Sequence, residues 1–365
     1  MDILWLGKRF YTNTDTLSER FGRMYQFPCY WHKAGQKVQL WLIDYHTREV
    51  KHMRDAGMPV VSSPVFSLAT IKQLLRTIVS VRPRCIVASG DCYIGLLGWL
   101  LARMCAASFV FDIYDKYDEF SGYRRIAGFD PLSFLVRHSD GLMFASTSLA
   151  HKLGSGARHA PHVAPNGIDP GMFKPMKMSE CRDRLGLPAD AILVGYFGSM
   201  EADRGVADLI GAVDRLRNSN VPVELLLAGR TDDGPSLNHP WIRYLGLVPH
   251  AQIPQLLNAC DLLVLPYRTG PFMDMVSSCK IAEYLACERP LVATDAPSFV
   301  LNFAEQAAAL GPALCRMSDP ADMARALEFQ LRIKKILPPP QDMTWQSIAE
   351  DSLRWLHQCG AVGAG

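Results

Sequence analysis

The chain has 365 residues, 49% of them hydrophobic and 20% charged, which is the composition of a globular protein rather than a disordered or fibrous one. No apolar run approaches the roughly 20 residues of a membrane-spanning helix, and the N-terminus reads as a strand rather than a secretion signal. We therefore expect a cytoplasmic protein, with a length that suits two domains.

The charge is unevenly distributed along the chain. Residues 1–175 carry 21 Lys and Arg against 14 Asp and Glu, whereas the remainder carries 17 against 22. A basic half suits an anionic acceptor or the acidic inner face of the plasma membrane. Because the positive residues are scattered, ordinary solvated side chains explain them equally well, and we expect no nucleic-acid partner.

Short runs of Val, Ile and Leu alternate with segments of helical length, which predicts parallel sheets built from strand-helix-strand units. In the first half the predicted strands and helices are strands 2–7, 37–43, 84–88, 109–112 and 141–145, with helices 67–81 and 92–104. In the second half they are strands 192–197, 222–228, 242–245, 261–266 and 290–293, with helices 205–217, 252–259, 278–287 and 320–335.

Chain-breaking Pro and Gly residues are dense between 164 and 188 and predict a linker. The predicted fold is α/β, with two Rossmann-like doubly wound domains at 1–165 and 191–337 that face across a cleft. The linker covers 166–190. A helix within 338–365 is expected to cross back to the first domain, because Trp345 to Leu356 has amphipathic spacing.

Two segments of the second domain carry candidate binding residues. A strand runs into Gly198 and Ser199, and Arg204 stands just before a helix, so backbone N–H groups and a cation can meet an anion there. Further on, Lys280 and Glu283 share one face at the start of a helix. A plain turn and a surface ion pair are equally compatible with these patterns.

The motifs resemble those of the retaining GT-B glycosyltransferases, in particular family 4, the glycosyl transferases group 1. Val163-Ala164-Pro165-Asn166-Gly167-Ile168-Asp169 is similar to the segment that precedes the family's interdomain linker. The strand ending at Gly198-Ser199, with Arg204-Gly205 after it, is similar to the family's second signature. The apolar strands at 225–229 and 261–266 then follow in the expected order. Their number and order make the resemblance specific over most of the chain.

The resemblance implies a site for a nucleotide-diphosphate sugar in the second domain. Arg204 and Lys280 would embrace the diphosphate beside the loop of Gly198 and Ser199, and Glu283 would hold the ribose. The positions that would line the nucleobase pocket are Gly229, Arg230, Leu247 and Val248, although Arg230 suits a solvated loop equally well.

Two positions depart from the family pattern. Where the first glutamate of the Glu-x7-Glu signature belongs, this chain has Met275, so that either Asp274 or the backbone at Val276 and Ser277 would have to hold the donor sugar. The first domain also lacks the histidine that many relatives carry after the strand at 109–112.

Other groups would then have to act in the first domain. Asp112 and Asp115 are the candidate catalytic bases for the acceptor hydroxyl, although helix capping explains such acids as well. The candidate acceptor-binding residues follow the first strand: Asn13, Thr14, Arg20 and Arg23.

The expected activity is transfer of a sugar, with retention, to a carbohydrate, lipid-linked or other hydroxyl acceptor in bacterial polysaccharide, glycolipid or glycoconjugate synthesis. Arg204 and Lys280 would neutralise the leaving diphosphate, so that we expect neither a metal nor another cofactor. A nucleotide-sugar epimerase and a non-catalytic binding or scaffold protein remain the alternatives.

Overall fold

A computed structural model describes residues 1–11, 14–120, 122–125, 127–271 and 273–362. The chain forms two units, Met1–Gly167 with the segment from Asp342 onward, and Ile168–Gln341. Most of the predicted linker belongs to the second unit and contains a helix. In the described residues no helix is long and apolar enough to cross a membrane.

The first unit is built on a largely parallel sheet. Its strands are β1 (Ile3–Lys8), β2 (Phe10–Tyr11), β3 (Thr14–Asp15), β4 (Val38–Asp44), β5 (Lys51–Asp55), β6 (Met58–Pro64), β7 (Cys85–Ser89), β8 (Ser108–Ile113), β9 (Gly141–Phe144) and β10 (His162–Val163). The sheet has the order β10-β9-β8-β7-β1-β4-β6-β5, and only β5 runs antiparallel, while β2 and β3 form a separate ribbon. The direction of strand addition reverses at β1 and β7.

The helices of this unit cover its sheet. They are α1 (Thr16–Glu19), α2 (Arg23–Lys33), α3 (Leu68–Arg76), α4 (Cys92–Cys105), α5 (Pro131–His138) and α6 (Thr147–Leu153). Five of the sheet strands were predicted to within about a residue, because strands buried on both faces read as continuous apolar runs. The pair β5–β6 and helix α2 were not predicted, since β5 is an exposed polar edge and α2 contains Pro28.

The second unit contains a wholly parallel sheet. Its strands are β11 (Ile192–Phe197), β12 (Val223–Ala228), β13 (Ile242–Tyr244), β14 (Leu262–Leu265), β15 (Leu291–Thr294) and β16 (Leu314–Cys315). Its helices are α7 (Met178–Leu185), α8 (Val206–Asn218), α9 (Ile253–Ala259), α10 (Cys279–Ala286), α11 (Pro297–Val300), α12 (Ala304–Leu310) and α13 (Pro320–Ile333). The strand order β13-β12-β11-β14-β15-β16 is that of a Rossmann sheet.

The last helix, α14 (Trp345–Gln358), returns to the first unit as predicted and packs on α2. Trp31 donates its indole N–H to the Ala349 carbonyl at 2.7 Å. The Trp345 ring lies 6.0 Å from Phe27, edge to face. Position 167 requires glycine, because a Cβ there would overlap the Trp345 backbone. The crossover helix is therefore part of the first unit's core.

Candidate functional site

The second sheet changes direction between β11 and β14, and two loops leave its carboxyl edge there. One loop joins Phe197 to α8, and the other joins Leu265 to α10. In open parallel sheets, ligands bind at this point because adjacent crossovers lie on opposite faces and leave a crevice between them. The predicted Gly198–Arg204 and Asp274–Glu283 segments occupy these two loops and the helices that follow.

Glycines allow the two loops to approach each other. Gly198 has a φ of 147°, and a Cβ there would overlap the Lys280 side chain. Gly205 has a φ of 70°, and a Cβ there would overlap the Pro266 carbonyl oxygen. Gly205 therefore requires glycine both for conformation and for space, and Gly198 requires it for conformation.

Lys280 lies across this junction. Its Nζ donates to the Tyr196 hydroxyl at 3.3 Å and lies 4.9 Å from the centre of that ring and 5.8 Å from the ring of Tyr267. Burial, reinforced by the neighbouring Arg204 guanidinium, lowers the pKa of Lys280 to about 7. The two cations thus destabilise one another, and an anion between them would relieve this repulsion.

Arg204 reaches the same place from the other loop, with only 16% of its side chain exposed. Its Nε lies 3.2 Å from Glu201 Oε2 and 3.6 Å from Asp203 Oδ1. Burial raises the pKa of Glu201, but hydrogen bonds from Ser199 and Arg204 outweigh it and leave that pKa below its usual value. Glu201 therefore neutralises Arg204 in part until a ligand arrives.

Two helices begin at these loops. Helix α8 starts immediately after Gly205 and α10 immediately after Ser278, and no described side chain caps either one. The first N–H groups of a helix lack partners inside it and carry partial positive charge. Together with Arg204 and Lys280 they form a site suited to a multiply charged anion such as a diphosphate.

Glu283 follows Lys280 by one turn of α10 and is 8% exposed. Its Oε1 lies 3.4 Å from Nε2 of His250, a residue that sequence analysis did not predict to be in the site. His250 also packs against the Phe173 ring at 5.5 Å. No local pattern marks His250, because its contact with Glu283 spans 33 residues. The pair is a candidate for binding vicinal hydroxyls.

The expected nucleobase positions lie at the ends of β12 and β13. Gly229 donates its N–H to the Gly246 carbonyl at 2.9 Å, and a Cβ on Gly229 would overlap the Gly198 carbonyl. Arg230 is exposed, and Val248 is half-buried. Leu247 has 75% of its surface exposed, so a flat apolar ring stacked there would cover it.

In the segment before α10, the Asp274 side chain is hydrogen-bonded within its own turn. The Asp274 carboxylate accepts hydrogen bonds from the Thr269 hydroxyl at 2.9 Å and the Gly270 amide at 3.2 Å. It is therefore bonded to Thr269 and Gly270 rather than left free for a ligand. Met275, Val276 and Ser277 are half-buried between this turn and α10. Of the two predicted ways to hold a donor sugar, this geometry favours the backbone at Val276 and Ser277 over Asp274.

In the first unit, Arg23 and Asp112 form a buried ion pair. The guanidinium meets the two carboxylate oxygens at 2.6 and 2.9 Å, and neither side chain is exposed. Arg23 also donates to the Ala164 carbonyl and to Asn166 Oδ1, while Ser89 donates to Asp112. The geometry favours a structural role for both residues over the predicted acceptor-binding and catalytic roles, because the charges bind each other away from solvent.

The other candidates of this unit are dispersed. Arg20 ends α1 with a φ of 52° and pairs with Asp55 at 2.8 Å, so it shares neither a helix nor a partner with Arg23. Thr14 is half-buried in β3, and Asn13 lies outside the described residues. Asp115 is half-buried, and its carboxylate accepts a hydrogen bond from the Lys116 amide at 2.9 Å.

A cavity of about 620 Å³ lies at the point where the first sheet changes direction. Lys8 at the end of β1 and Asp91 after β7 face each other there, with Nζ and Oδ2 3.7 Å apart. Lys8 Nζ also lies 5.1 Å from the centre of the Tyr45 ring. Among the described residues the lining consists of Lys8, Tyr45, His46, Asp91, Cys92, Tyr93, Tyr117, Glu119, Phe120, Gly122 and Tyr123. Sequence analysis missed this site because four separate strand ends contribute to it.

Within the described ranges, no three His, Cys, Asp or Glu residues are grouped so that they could hold a metal ion. The ten cysteines form no disulfide, and seven of them are buried.

The two Rossmann-like units define the GT-B fold, and the second unit carries an anion site at its switch point. Residues 191–332, which contain this site, match the model of the family described as "Glycosyl transferases group 1".

Curated relatives agree with this family. The chain is 30% identical over 214 residues to a D-inositol 3-phosphate glycosyltransferase of Stackebrandtia nassauensis, covering 53% of this chain and 46% of the relative. It is 32% identical over 158 residues to the putative teichuronic acid biosynthesis glycosyltransferase TuaC of Bacillus subtilis, covering 40% of this chain and 38% of TuaC. The chain thus spans less than half the length of these curated relatives.

Solved structures show the same fold over nearly the whole chain. A sucrose-phosphate synthase from Thermosynechococcus elongatus superimposes with a TM-score of 0.69 at 14% identity, covering 99% of this chain and 100% of the other. HepE of Anabaena, in complex with UDP, superimposes with a TM-score of 0.65 at 19% identity, covering 98% of this chain and 95% of HepE.

Proposed function

We propose that this protein is a retaining glycosyltransferase that moves a sugar from a nucleoside-diphosphate sugar to an acceptor hydroxyl. The observation that carries the proposal is the meeting of Arg204 and Lys280 over Tyr196 at two uncapped helix N-termini. The match of residues 191–332 to the glycosyl transferases group 1 model supports it, as do the structural neighbours that were solved with UDP or UDP-glucose.

The chemistry demands charge neutralisation at the leaving group. As the bond to the anomeric carbon breaks, negative charge grows on the departing diphosphate and positive charge grows on the sugar. Arg204, Lys280 and the N–H groups of α8 and α10 would stabilise the diphosphate, and their positions are fixed before reaction. We therefore propose that a divalent metal is dispensable and that the acceptor attacks from the face that the diphosphate leaves, which retains configuration.

The opposite end of the donor would lie against Glu283 and Leu247. Glu283 would accept hydrogen bonds from the ribose hydroxyls, with His250 fixing its orientation at 3.4 Å. Leu247 would lie under the base.

The acceptor would bind in the cavity of the first unit. Its volume lies within the roughly 300–1,000 Å³ of small-molecule sites. Tyr45 and Tyr93 give it flat aromatic walls, while Lys8 and Asp91 offer a donor and an acceptor for hydroxyl groups. Asp115, half-buried near this edge of the sheet, is the remaining candidate for the base.

Donor binding is tested by calorimetric titration of UDP-, GDP-, ADP- and dTDP-glucose. Arg204→Ala and Lys280→Ala should each lower the affinity for the tightest-binding ligand at least tenfold, because each removes a positive charge that would contact the diphosphate. Arg243→Ala and Lys334→Ala, exposed cations of the same unit, serve as matched controls. If both site variants bind as tightly as the wild type, the donor site is elsewhere.

Turnover is tested separately, by following donor consumption with and without a panel of glycoside acceptors. Transfer to an acceptor supports the proposal, and NMR of the product gives its anomeric configuration. Conversion of the donor into an isomeric sugar nucleotide would indicate an epimerase, and tight binding without consumption a non-catalytic protein. Loss of activity in EDTA that magnesium restores would contradict the metal-free mechanism.

A further inference from the structure

Helix α3 turns a polar side toward the first unit and leaves apolar side chains exposed, the opposite of what is usual for a helix packed on a sheet. The uncharged polar residues Thr70 and Gln73, together with Thr77 immediately after the helix, are buried, with at most 8% exposed. The Thr70 hydroxyl donates to Ser63 Oγ at 2.8 Å, and the Thr77 hydroxyl donates to the Gln73 carbonyl at 2.8 Å. The first unit therefore buries a polar side of this helix.

That apolar side points to solvent. The exposed apolar residues of α3 and of its flanking turns are here called the α3 face: Phe66 (95%), Leu68 (76%), Ile71 (55%), Leu75 (55%) and Val79 (71%). From Leu68 onward they follow one another three or four positions apart. The exposed Leu100 and Met104 extend it on α4, whose Cys105 Sγ lies 3.9 Å from the Thr77 carbonyl. A contiguous apolar face of this kind marks a contact surface, because isolated exposed apolar residues do not align along one helix.

The chain segment that carries the α3 face has charges of a single sign. Between residues 56 and 90 there is no Asp or Glu, while Lys72, Arg76, Arg82 and Arg84 all fall in this stretch and are exposed. None of the four makes an ion pair with another residue in the described part of the chain, whereas Arg103 on α4 pairs with Asp140. Lys72 and Arg76 each follow an apolar member of the face by one position and therefore flank it.

We propose that the α3 face docks on an anionic lipid bilayer, with Phe66 and the aliphatic residues entering the interface and the four cations lying at the level of the lipid phosphates. Apolar insertion combined with unpaired cations is what binds a helix parallel to a charged membrane surface. A second protein would need acidic side chains to match these cations, and a second copy of this face would bring like charges together. The surface involves none of the donor-site residues, so the inference stands apart from the proposed function.

The test is flotation of the whole protein with two kinds of vesicle, phosphatidylcholine alone and phosphatidylcholine mixed with phosphatidylglycerol. The wild type should float with the mixed vesicles and be released by salt. Phe66→Ser should lower the partition coefficient by about tenfold, because a large side chain no longer leaves water. Lys72→Gln and Arg76→Gln should each lower it about fivefold on mixed vesicles only.

Matched controls come from the second unit, where Ile336→Ser and Lys334→Gln remove an exposed apolar and an exposed basic residue. Both should float as the wild type does, and calorimetric donor binding should be the same in all variants, which shows that they are folded. Failure of the wild type to bind the mixed vesicles would overturn the proposal, as would unchanged binding of Phe66→Ser. The proposal would also be overturned if sedimentation showed that the wild type is a dimer and that Phe66→Ser is a monomer.

Discussion

Lys280 makes donor binding depend on pH in a direction that the structure fixes. In the free protein its pKa is about 7, lowered by burial and by the Arg204 guanidinium. A bound diphosphate places negative charge beside the ammonium and raises that pKa. Binding above pH 7 must therefore take up a proton, and affinity must fall as the pH rises.

The size of the effect follows from the population of charged lysine. If only the ammonium form binds, half of the protein is competent at pH 7 and about 1% at pH 9, so affinity falls by up to about fiftyfold between them. At pH 8 the complex should take up about 0.9 of a proton. The suitable probe is UDP-glucose, because its diphosphate does not titrate in this range.

The assay is calorimetric titration at pH 7, 8 and 9 in pairs of buffers with different ionisation enthalpies, which gives the affinity and the proton uptake together. Lys280→Arg is the decisive variant, because arginine stays charged throughout and should give an affinity independent of pH. A wild-type affinity that stays constant from pH 7 to 9, or a Lys280→Arg variant with the same slope as the wild type, would refute the reasoning.

Three further predictions concern stability and affinity. Because the folded pKa of Lys280 lies below that of an unfolded lysine, the unfolded chain binds more protons from pH 7 to about 10, and stability rises with pH across this window. Lys280→Met should therefore raise the melting temperature at pH 7, by an amount that corresponds to at most about 4 kcal/mol, and flatten this rise; a lower melting temperature would contradict it. Glu201→Gln should tighten UDP-glucose binding about fivefold by removing the charge 3.2 Å from Arg204, and calorimetry showing weaker binding would be evidence against that competition. Asp112→Asn should lower the unfolding free energy by about 3–5 kcal/mol in urea titrations, because it leaves the Arg23 guanidinium buried without its counter-charge, and Arg23→Met in the same chain should restore part of the loss. A loss below about 1 kcal/mol would show that water reaches the pair.

The core strands of the second unit were predictable because each one is a short apolar run between chain-breaking residues. Strands β11 and β12 match their predicted ranges to within a residue. Strands buried on both faces need no knowledge of their neighbours to be recognised. The sequence likewise indicated that Arg204 and Lys280 flank a helix start, since Gly205 and Ser278 stand next to those helices in the chain.

Contacts between distant residues were beyond such reasoning. Arg23 and Asp112 are 89 residues apart, and both looked like free functional groups until the fold joined them. Each of the two charges is neutralised by the other. Arg23 and Asp112 meet only because the fold places helix α2 beside strand β8.

The sequence by itself determined the two Rossmann-like units, their parallel strands and the positions of the cations Arg204 and Lys280, because these depend on local apolar runs, glycines and helix starts. Tertiary structure alone decided which charged residues are buried together, which strand ends line the cavity at Lys8 and Asp91, and which side of α3 meets solvent. An amphipathic pattern shows that a helix has two faces. Only the packing of Thr70 and Gln73 against the sheet shows that here the apolar one is left outside.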